Sequence, residues 1–358
     1  MKTKIKEIKL ELISKGISTD LVENLITTRT SACNGIFLEF GLGGKEDNAK
    51  VNINPLSPYF LIQENDKGKI INDKGESIVD YVNIYSSNIK SDIFSPQLKG
   101  VLAVSLWGCQ LVNKNQDCGF CAAKEFSGPK YSVQEFEQEL KRIDNIEKIL
   151  AVTINSGSII TRKDRGYNLM APYVRVIKAK EINEINLELM PPNMNEKDLE
   201  ELLKNVKQDG VSSMQFNMEI FDDDRRKAIM PYKGEISIEQ YIKTIEMASQ
   251  IFGEGKISSV LLVGLDSLSN LRKGAYTIIN AGGIPSMEVF RSLKGTKLEK
   301  YSAEIEYKQV IKLNKDIKDD LIDKYGRNIF NYFEGCLKCG GCNILQNEKY
   351  IKQNNQGD

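Results

Sequence analysis

The sequence predicts an α/β fold, a partial (β/α)6 barrel of the TIM type with a small N-terminal α+β region and a C-terminal extension. From Gly100 onward, short apolar runs alternate with amphipathic helical stretches, a pattern typical of a parallel sheet. The strand–helix pairs are too few for a closed barrel of eight strands. Six of the seven cysteines form two tight triplets, one after the first strand of this pattern and one near the C-terminus.

Residues 1–98 are expected to form the N-terminal α+β region. Residues 1–30 predict two short helices, the second capped by Thr19 or Asp20 and continuing through Thr27. Short apolar alternations at residues 36–40 and 59–62, separated by turn-forming clusters, predict β-structure. Two roles remain open for this region, a structural cap on the barrel or a module that docks the substrate.

The barrel is expected at residues 99–300. Its strands are predicted at 101–106, 149–154, 185–189, 213–219, 257–262 and 285–290, and its helices near 132–147, 167–182, 196–208, 237–252 and 267–281. Ser132 and Ser237 each stand three residues before Glu or Gln, the form of a capping box. Gly253 and Gly282 lie where helices are expected to end. Ligands of such sheets bind beyond the carboxyl ends of the strands.

The extension is expected at residues 301–345. It begins with an amphipathic helix at 302–325 and ends in Cys336-Leu-Lys-Cys339-Gly-Gly-Cys342. The polar residues 346–358 are expected to be a disordered tail.

Composition excludes several classes of partner. Lys plus Arg and Asp plus Glu are equal at 49 each, so no overall charge attracts nucleic acid or an anionic membrane. The charged N-terminus lacks the apolar segment of a signal peptide, and no apolar run approaches the ~18 residues of a membrane span. We expect a soluble cytoplasmic protein, and in that reducing compartment grouped cysteines indicate metal rather than disulfides.

The first triplet is Cys109, Cys118 and Cys121, in one loop at the end of the first barrel strand. Thiolates bind iron–sulfur clusters or zinc. Three thiolates leave one corner of a four-iron cluster open to a small molecule, whereas a closed zinc site needs a fourth ligand. The chain contains no histidine that could be this fourth ligand, and no further cysteine lies in the loop. The spacing therefore favours a [4Fe–4S] cluster over zinc. Buried free thiols or a disulfide are the remaining alternative.

The segment Cys118-Gly-Phe120-Cys121 resembles the C-x-aromatic-C half of the cluster motif of radical S-adenosylmethionine (radical SAM) enzymes. The spacing here is C-x8-C-x2-C, whereas the family usually has C-x3-C-x2-C, which leaves the subfamily open. The resemblance implies a catalytic [4Fe–4S] cluster on Cys109, Cys118 and Cys121 that binds S-adenosylmethionine. It also implies an electron donor such as flavodoxin or ferredoxin.

Further cofactor-binding residues are expected at the ends of strands. Asn155-Ser156-Gly157 resembles the family's glycine-rich motif, although a plain turn is the alternative. Glu188 is a candidate for a ribose or ammonium group, or else a solvated residue. Gln215, Asn217 and Glu219 share one face of the fourth strand, and polar side chains inside a barrel need polar partners.

Arg225 or Arg226 is a candidate to bind the methionyl carboxylate, with an exposed turn as the alternative. Phe120 and Leu265 complete the predicted cofactor-binding set. The stretches at residues 216–222, 230–234, 262–265 and 290–296 resemble the barrel of the biotin-synthase and lipoyl-synthase-like branch. That resemblance covers about residues 100–300 and implies sulfur insertion.

The second triplet, Cys336, Cys339 and Cys342, predicts a second [4Fe–4S] cluster in preference to structural zinc. Its fourth ligand stays open between Cys33, a residue other than cysteine, and the substrate. Such a cluster could donate sulfide to a carbon radical, or relay electrons or bind substrate. Either use leads us to expect it near the barrel mouth, facing the adenosyl group.

The favoured hypothesis is an anaerobic radical SAM enzyme acting on a small-molecule, acyl or peptide substrate, with sulfur insertion as its reaction. The first alternative is a peptide-modifying or dehydrogenating enzyme whose second cluster relays electrons. A non-catalytic iron–sulfur or zinc protein is the alternative from a different class.

Overall fold

A computed structural model describes residues 2–21, 28, 29, 34–64, 67–85, 87, 89–122 and 129–345. Two sheets organise these residues. The first sheet is antiparallel, and its strands are β1 Thr28–Arg29, β2 Asn34–Leu42, β3 Lys45–Val51, β4 Tyr59–Glu64, β5 Lys67–Asn72 and β6 Tyr81–Ile84. They run in the order β1-β2-β6-β5-β4, and β3 is a further partner of β2.

The second sheet is the barrel wall. Its strands follow one another in chain order: β7 Ser95–Pro96, β8 Val101–Ser105, β9 Ala151–Asn155, β10 Glu184–Glu188, β11 Ser213–Gln215, β12 Ile257–Val263 and β13 Ile284–Val289. β8 to β13 are parallel, and β7 is an antiparallel edge strand. In the described part of the chain, β8 and β13 are the two ends of the parallel series and do not pair with each other. The barrel is therefore partial, which confirms the predicted fold class.

Helices cover the outside of this sheet and flank the first one. They are α1 Lys2–Lys15, α2 Val133–Lys141, α3 Tyr167–Lys178, α4 Glu196–Asp209, α5 Asp223–Ile229, α6 Ile238–Phe252, α7 Leu268–Asn280, α8 Tyr307–Tyr325 and α9 Gly335–Cys339. Ser132 forms the complete predicted capping box with Glu135, whereas Ser237 accepts only the Gln240 N–H. The predicted helix at 132–147 ends earlier, at Lys141, and a 3-10 turn follows at Ile146–Lys148.

Helix α1 differs from the prediction because it is one continuous helix. It packs on β3 on one side and on α8 on the other, so buried residues surround most of its circumference. A helix buried on two sides has no clean apolar stripe. The described residues 16–21 contain no helix, and Thr19 instead donates to the Leu61 carbonyl at 2.9 Å. The rest of the second predicted helix lies at residues 22–27, outside the described residues.

Strand β11 is shorter than predicted, ending at Gln215 rather than residue 219. Glu219 has a φ of 68°, a left-handed conformation that interrupts an extended strand. It still forms an isolated parallel bridge with Leu261 of β12. Gln215, Asn217 and Glu219 therefore face the barrel interior although the strand has ended.

The C-terminal segment closes the amino end of the barrel. Glu334 accepts hydrogen bonds from Ser212 and Lys256, which precede β11 and β12. Lys338 pairs with Glu184, the first residue of β10, at 2.6 Å. Among the described residues, no helix combines the length and apolarity that a membrane crossing requires.

Candidate functional site

The inner face of the barrel sheet lines a cavity of about 170 Å³. Phe120, from the first cysteine loop, lines it at the carboxyl ends of the strands. The three cysteines of the C-terminal triplet also line it. One cavity therefore lies between the two triplets.

The first cysteine loop is held to the turn after β9. Gly157 N–H donates to the Trp107 carbonyl at 3.0 Å, and Gln110 N–H donates to the Ser158 carbonyl at 3.0 Å. At its other end, Gly119 N–H donates to the Ile229 carbonyl at 2.7 Å and its own carbonyl accepts the Leu298 N–H. Backbone hydrogen bonds of the protein thus hold the loop on both sides.

Gly157 makes the closest approach in this site. A Cβ atom added there would lie 2.3 Å from both the backbone N and the Cα of Cys109. No side chain fits between these two backbones. The glycine of the predicted Asn155-Ser156-Gly157 motif is therefore required to bring the β9 turn against the first cysteine.

The three thiols of this loop are partly buried and lie close enough to influence one another. Burial raises the pKa of Cys118 well above its ordinary value, Lys233 opposes that rise, and Glu219, Cys121 and Cys109 add to it. A bound metal removes the proton from such a thiol outright.

Among the described residues, no three His, Cys, Asp or Glu side chains form a site for a single metal ion. In a four-iron cluster each thiolate binds a separate iron, so the ligands need not converge on one point. Three thiols spread along one fixed loop, without a fourth from that loop, fit a cluster with an open corner.

A buried ion pair lies beside Cys118. Lys233 Nζ lies 2.8 Å from Glu219 Oε2, with side chains 9% and 13% exposed. Burial lowers the pKa of Lys233, but the charge and hydrogen bond of Glu219 outweigh burial and raise it above its ordinary value. Lys233 carries no local sequence signal for this position, although it lies in the 230–234 stretch that resembles the biotin-synthase and lipoyl-synthase-like branch.

Of the predicted cofactor-binding residues, Phe120, Asn155, Glu188, Asn217 and Glu219 line the cavity. The Oδ1 atom of Asn155 is buried without a hydrogen-bond partner, and so is the Oγ1 atom of its cavity neighbour Thr153. Buried polar atoms are almost always paired, so these two atoms are acceptors available to a ligand. Both residues line the cavity, so it offers polar groups to a cofactor.

The other predicted residues lie behind the cavity wall. Ser156 Oγ donates to the Gly157 carbonyl at 3.0 Å, and Leu265 packs in a small apolar cluster with Ile220, Met230 and Phe290. This cluster also contacts Phe120 and Cys118, so it shields the first cysteine loop from solvent.

Neither predicted arginine is among the residues that line the cavity. Arg226 is fully buried, donates to the Ile236 carbonyl at 2.9 Å and lies over the Tyr241 ring at 5.1 Å. Arg225 donates to the Leu265 carbonyl at 3.2 Å. Carboxylate binding by either one stays a prediction. Arg291, which sequence analysis did not select, does line the cavity.

The second triplet enters from the end opposite to the one we expected. The segment that carries it is anchored at the amino ends of the strands, so the expectation of a position near the barrel mouth is wrong. The position of the triplet depends on the direction in which the chain leaves α8, and no local sequence pattern encodes that direction. The triplet still faces the shared cavity.

Inside the cavity, Cys336 Sγ donates to Glu188 Oε1 at 3.3 Å. Burial raises the pKa of Glu188 to about 7, the Cys336 hydrogen bond opposes this, and nearby Glu288 adds to it. Burial likewise raises the pKa of Cys336, with Glu188 and Glu288 contributing. Cys33, the other candidate ligand, lies outside the described residues.

Comparison with known proteins identifies the domain. Residues 115–270 match the family model of the Radical SAM superfamily. No curated protein matches the chain. The match is to the superfamily as a whole, and the biotin-synthase and lipoyl-synthase-like branch stays a prediction.

Several solved structures are similar to the chain. The crystal structure of HydG, a maturase of the [FeFe]-hydrogenase, shares 15% identity over 61% of this chain and 49% of HydG, with a TM-score of 0.47. HydG from Carboxydothermus hydrogenoformans shares 18% over 69% and 58%, with a TM-score of 0.46. A radical SAM methyltransferase from Sphaerobacter thermophilus shares 12% over 74% and 75%, with a TM-score of 0.47. The chain thus spans about half the length of the HydG proteins. The family match includes Cys118 and Cys121 and the barrel from β9 to β12, so residues 115–270 form a radical SAM domain.

Proposed function

We propose that this enzyme holds a [4Fe–4S] cluster on Cys109, Cys118 and Cys121 and binds S-adenosylmethionine at the adjoining end of the cavity. When bound, the cluster supplies the electron that splits S-adenosylmethionine into methionine and a 5′-deoxyadenosyl radical, which takes a hydrogen atom from the substrate. The observation that carries this proposal is the fixed three-cysteine loop whose Phe120 lines the cavity.

The chain's own residues bind the cofactor and exclude water. The unpartnered Asn155 Oδ1 accepts a hydrogen bond from the ammonium or ribose groups of S-adenosylmethionine. Glu219, held by Lys233, presents a fixed carboxylate beside the same loop. The apolar cluster of Ile220, Met230, Leu265 and Phe290 keeps water from the reacting groups.

The substrate, a small molecule, an acyl chain or a peptide segment, occupies the deeper part of the cavity. A second [4Fe–4S] cluster on Cys336, Cys339 and Cys342 faces it from the amino end of the barrel. Cys336, Cys339 and Cys342 would hold this cluster, which would supply sulfide for a new carbon–sulfur bond while its irons take up the electron released, as the resemblance to lipoyl synthase implies. A flavodoxin or ferredoxin in the cytoplasm is the electron donor.

Metal content and cofactor cleavage test this proposal. Anaerobically reconstituted protein should be brown and contain about eight irons, four for each [4Fe–4S] cluster. Changing Cys109, Cys118 and Cys121 together to Ala should abolish 5′-deoxyadenosine production with dithionite. As a matched control, the same change at Cys336, Cys339 and Cys342 should preserve it. Production that survives the first change refutes the assignment.

Sulfide accounting then separates the two uses of the second cluster. A loss of acid-labile sulfide from the C-terminal site during one turnover supports sulfur insertion. Unchanged sulfide excludes it and favours the electron-relaying alternative.

A further inference from the structure

A second cleft lies between the first sheet and the amino ends of β8 and β9. Its volume is about 670 Å³, within the ~300–1000 Å³ of typical ligand-binding clefts. One wall is a face of the first sheet, and the facing wall includes Gly100, Lys148 and Leu150. Among the described residues, none lines both this cleft and the cavity between the cysteine triplets. The two sites are therefore separate.

Hydrogen-bond acceptors cross the sheet wall in one row. Glu39 of β2 stands directly opposite Asn48 of β3 on one side and Asn83 of β6 on the other. Residues paired in this way share one face of a sheet, and all three line the cleft. Asn48 is only 6% exposed, and its Oδ1 atom has no hydrogen-bond partner. Buried amide oxygens are almost always paired, so this atom is an acceptor available to a ligand.

The carboxylates of this wall differ in their partners. Asp47 pairs at 3.1 Å with the fully buried Lys9, whose Nζ also donates to the Gly340 carbonyl at 2.9 Å. In the described part of the chain, no lysine or arginine pairs with Glu39. Burial raises the pKa of Glu39, and the neighbouring Glu46 adds to that rise. Glu39 is thus the carboxylate on this wall that can still accept a cation.

An aromatic ring lies beside these acceptors. Tyr81 and Glu46 stand on opposite sides of Gly41, and the Tyr81 hydroxyl donates to Glu46 Oε1 at 2.6 Å. A Cβ atom at Gly41 would lie 2.2 Å from Tyr81 Cε1, so the glycine leaves room for the ring to cross β2. Tyr81 is 38% exposed, and Leu150 on the facing wall is 49% exposed. An accessible aromatic face next to carboxylates favours an organic cation.

We propose that this cleft binds a peptide segment through a lysine or arginine side chain. The basic group pairs with Glu39, donates to Asn48 Oδ1 and packs over the Tyr81 ring. Lys148 favours a peptide over a small polycation, because it repels further positive charge and can donate to peptide carbonyl groups. Lys99 lines the cleft too, and its Nζ donates to the Lys338 carbonyl. The N-terminal region then acts as a docking module, one of the two roles that its sequence leaves open.

Fluorescence anisotropy of labelled peptides tests this site on the full, anaerobically reconstituted chain. The probes are short amidated peptides that differ at a single position, arginine in one and uncharged citrulline in the other. The arginine peptide should bind more tightly. Glu39→Gln should weaken its binding by about fivefold, the effect of losing an exposed ion pair, and leave the citrulline peptide unaffected. Glu137→Gln is the matched control, because Glu137 is a partly exposed glutamate of α2, paired with Lys141 and away from the cleft.

The outcomes decide both the charge and the kind of ligand. A preference for arginine that Glu39→Gln removes and Glu137→Gln retains supports the proposal. Equal affinity for the two peptides, no binding of either, or an unchanged arginine-peptide affinity in Glu39→Gln overturns it. Spermidine that binds as tightly as the arginine peptide overturns the peptide assignment. Binding here requires neither proposed cluster, so Glu39→Gln should keep the iron content of the parent, and a negative result leaves the proposed function intact.

Discussion

Replacing Gly157 with Ala should empty the first cysteine site while leaving the second one intact. The new Cβ would lie 2.3 Å from the N and Cα of Cys109, at least ~1 Å short of the separation at which carbon atoms attract one another. Both are backbone atoms, so no side-chain rotation relieves the contact. Overpacking of this kind costs about 1–3 kcal/mol, and here the cost falls on the loop that holds the cluster.

Gly119→Ala is the matched control for this change. Gly119 lies in the same loop, between Cys118 and Phe120, and a Cβ there meets nothing nearer than 3.4 Å, an ordinary contact. After anaerobic reconstitution, Gly157→Ala should fall from about eight irons per chain toward about four, whereas Gly119→Ala keeps about eight. Full iron content in Gly157→Ala, with an unfolding free energy within ~0.5 kcal/mol of the parent, would refute the steric argument.

Two further predictions concern charge. Lys233→Met should lower the unfolding free energy measured in urea by about 3–5 kcal/mol, because it leaves Glu219 buried without its partner. Adding Glu219→Gln to this variant should recover part of the loss. A loss below ~1 kcal/mol for Lys233→Met contradicts the prediction. Burial raises the pKa of Asp164, but hydrogen bonds from Arg162, Gly166 and Asn168 outweigh burial and lower it. Its stabilisation is therefore present above the unfolded pKa of about 3.9 and is lost as the pH falls through the folded pKa. Urea unfolding of Asp164→Asn should show a deficit at pH 7 that shrinks as the pH falls below ~4; a constant deficit excludes the assignment.

The barrel could be predicted from sequence because its strands are buried on both faces. Such strands appear as nearly continuous apolar runs, and caps such as Ser132 mark where the helices begin. Helix α5 was not predicted, because its seven residues are mostly charged. Asp222 precedes it as the N-cap, and its side chain accepts the Arg225 N–H. Its formation depends on a local cap rather than on an apolar stripe.

The predicted site residues each carry a local sequence signal, either a cysteine motif or a polar position at the end of a predicted strand. The cysteine triplets and Asn155 carry local signals, whereas Lys50, Glu288 and Arg291 reach the cavity from distant elements. Their selection depends on which elements the fold brings together. Arg226 shows the converse, because a charged residue beside an acidic turn is fully buried against Tyr241.

The hydrogen bond between Lys9 and the Gly340 carbonyl joins residues 331 positions apart. Chains are synthesised from the N-terminus, so helix α1 emerges long before its partner exists. Until then its lysine remains hydrated, and the walls around the C-terminal cysteines are incomplete. The proposed second cluster would therefore be assembled only after the C-terminal segment has been synthesised and has packed against α1.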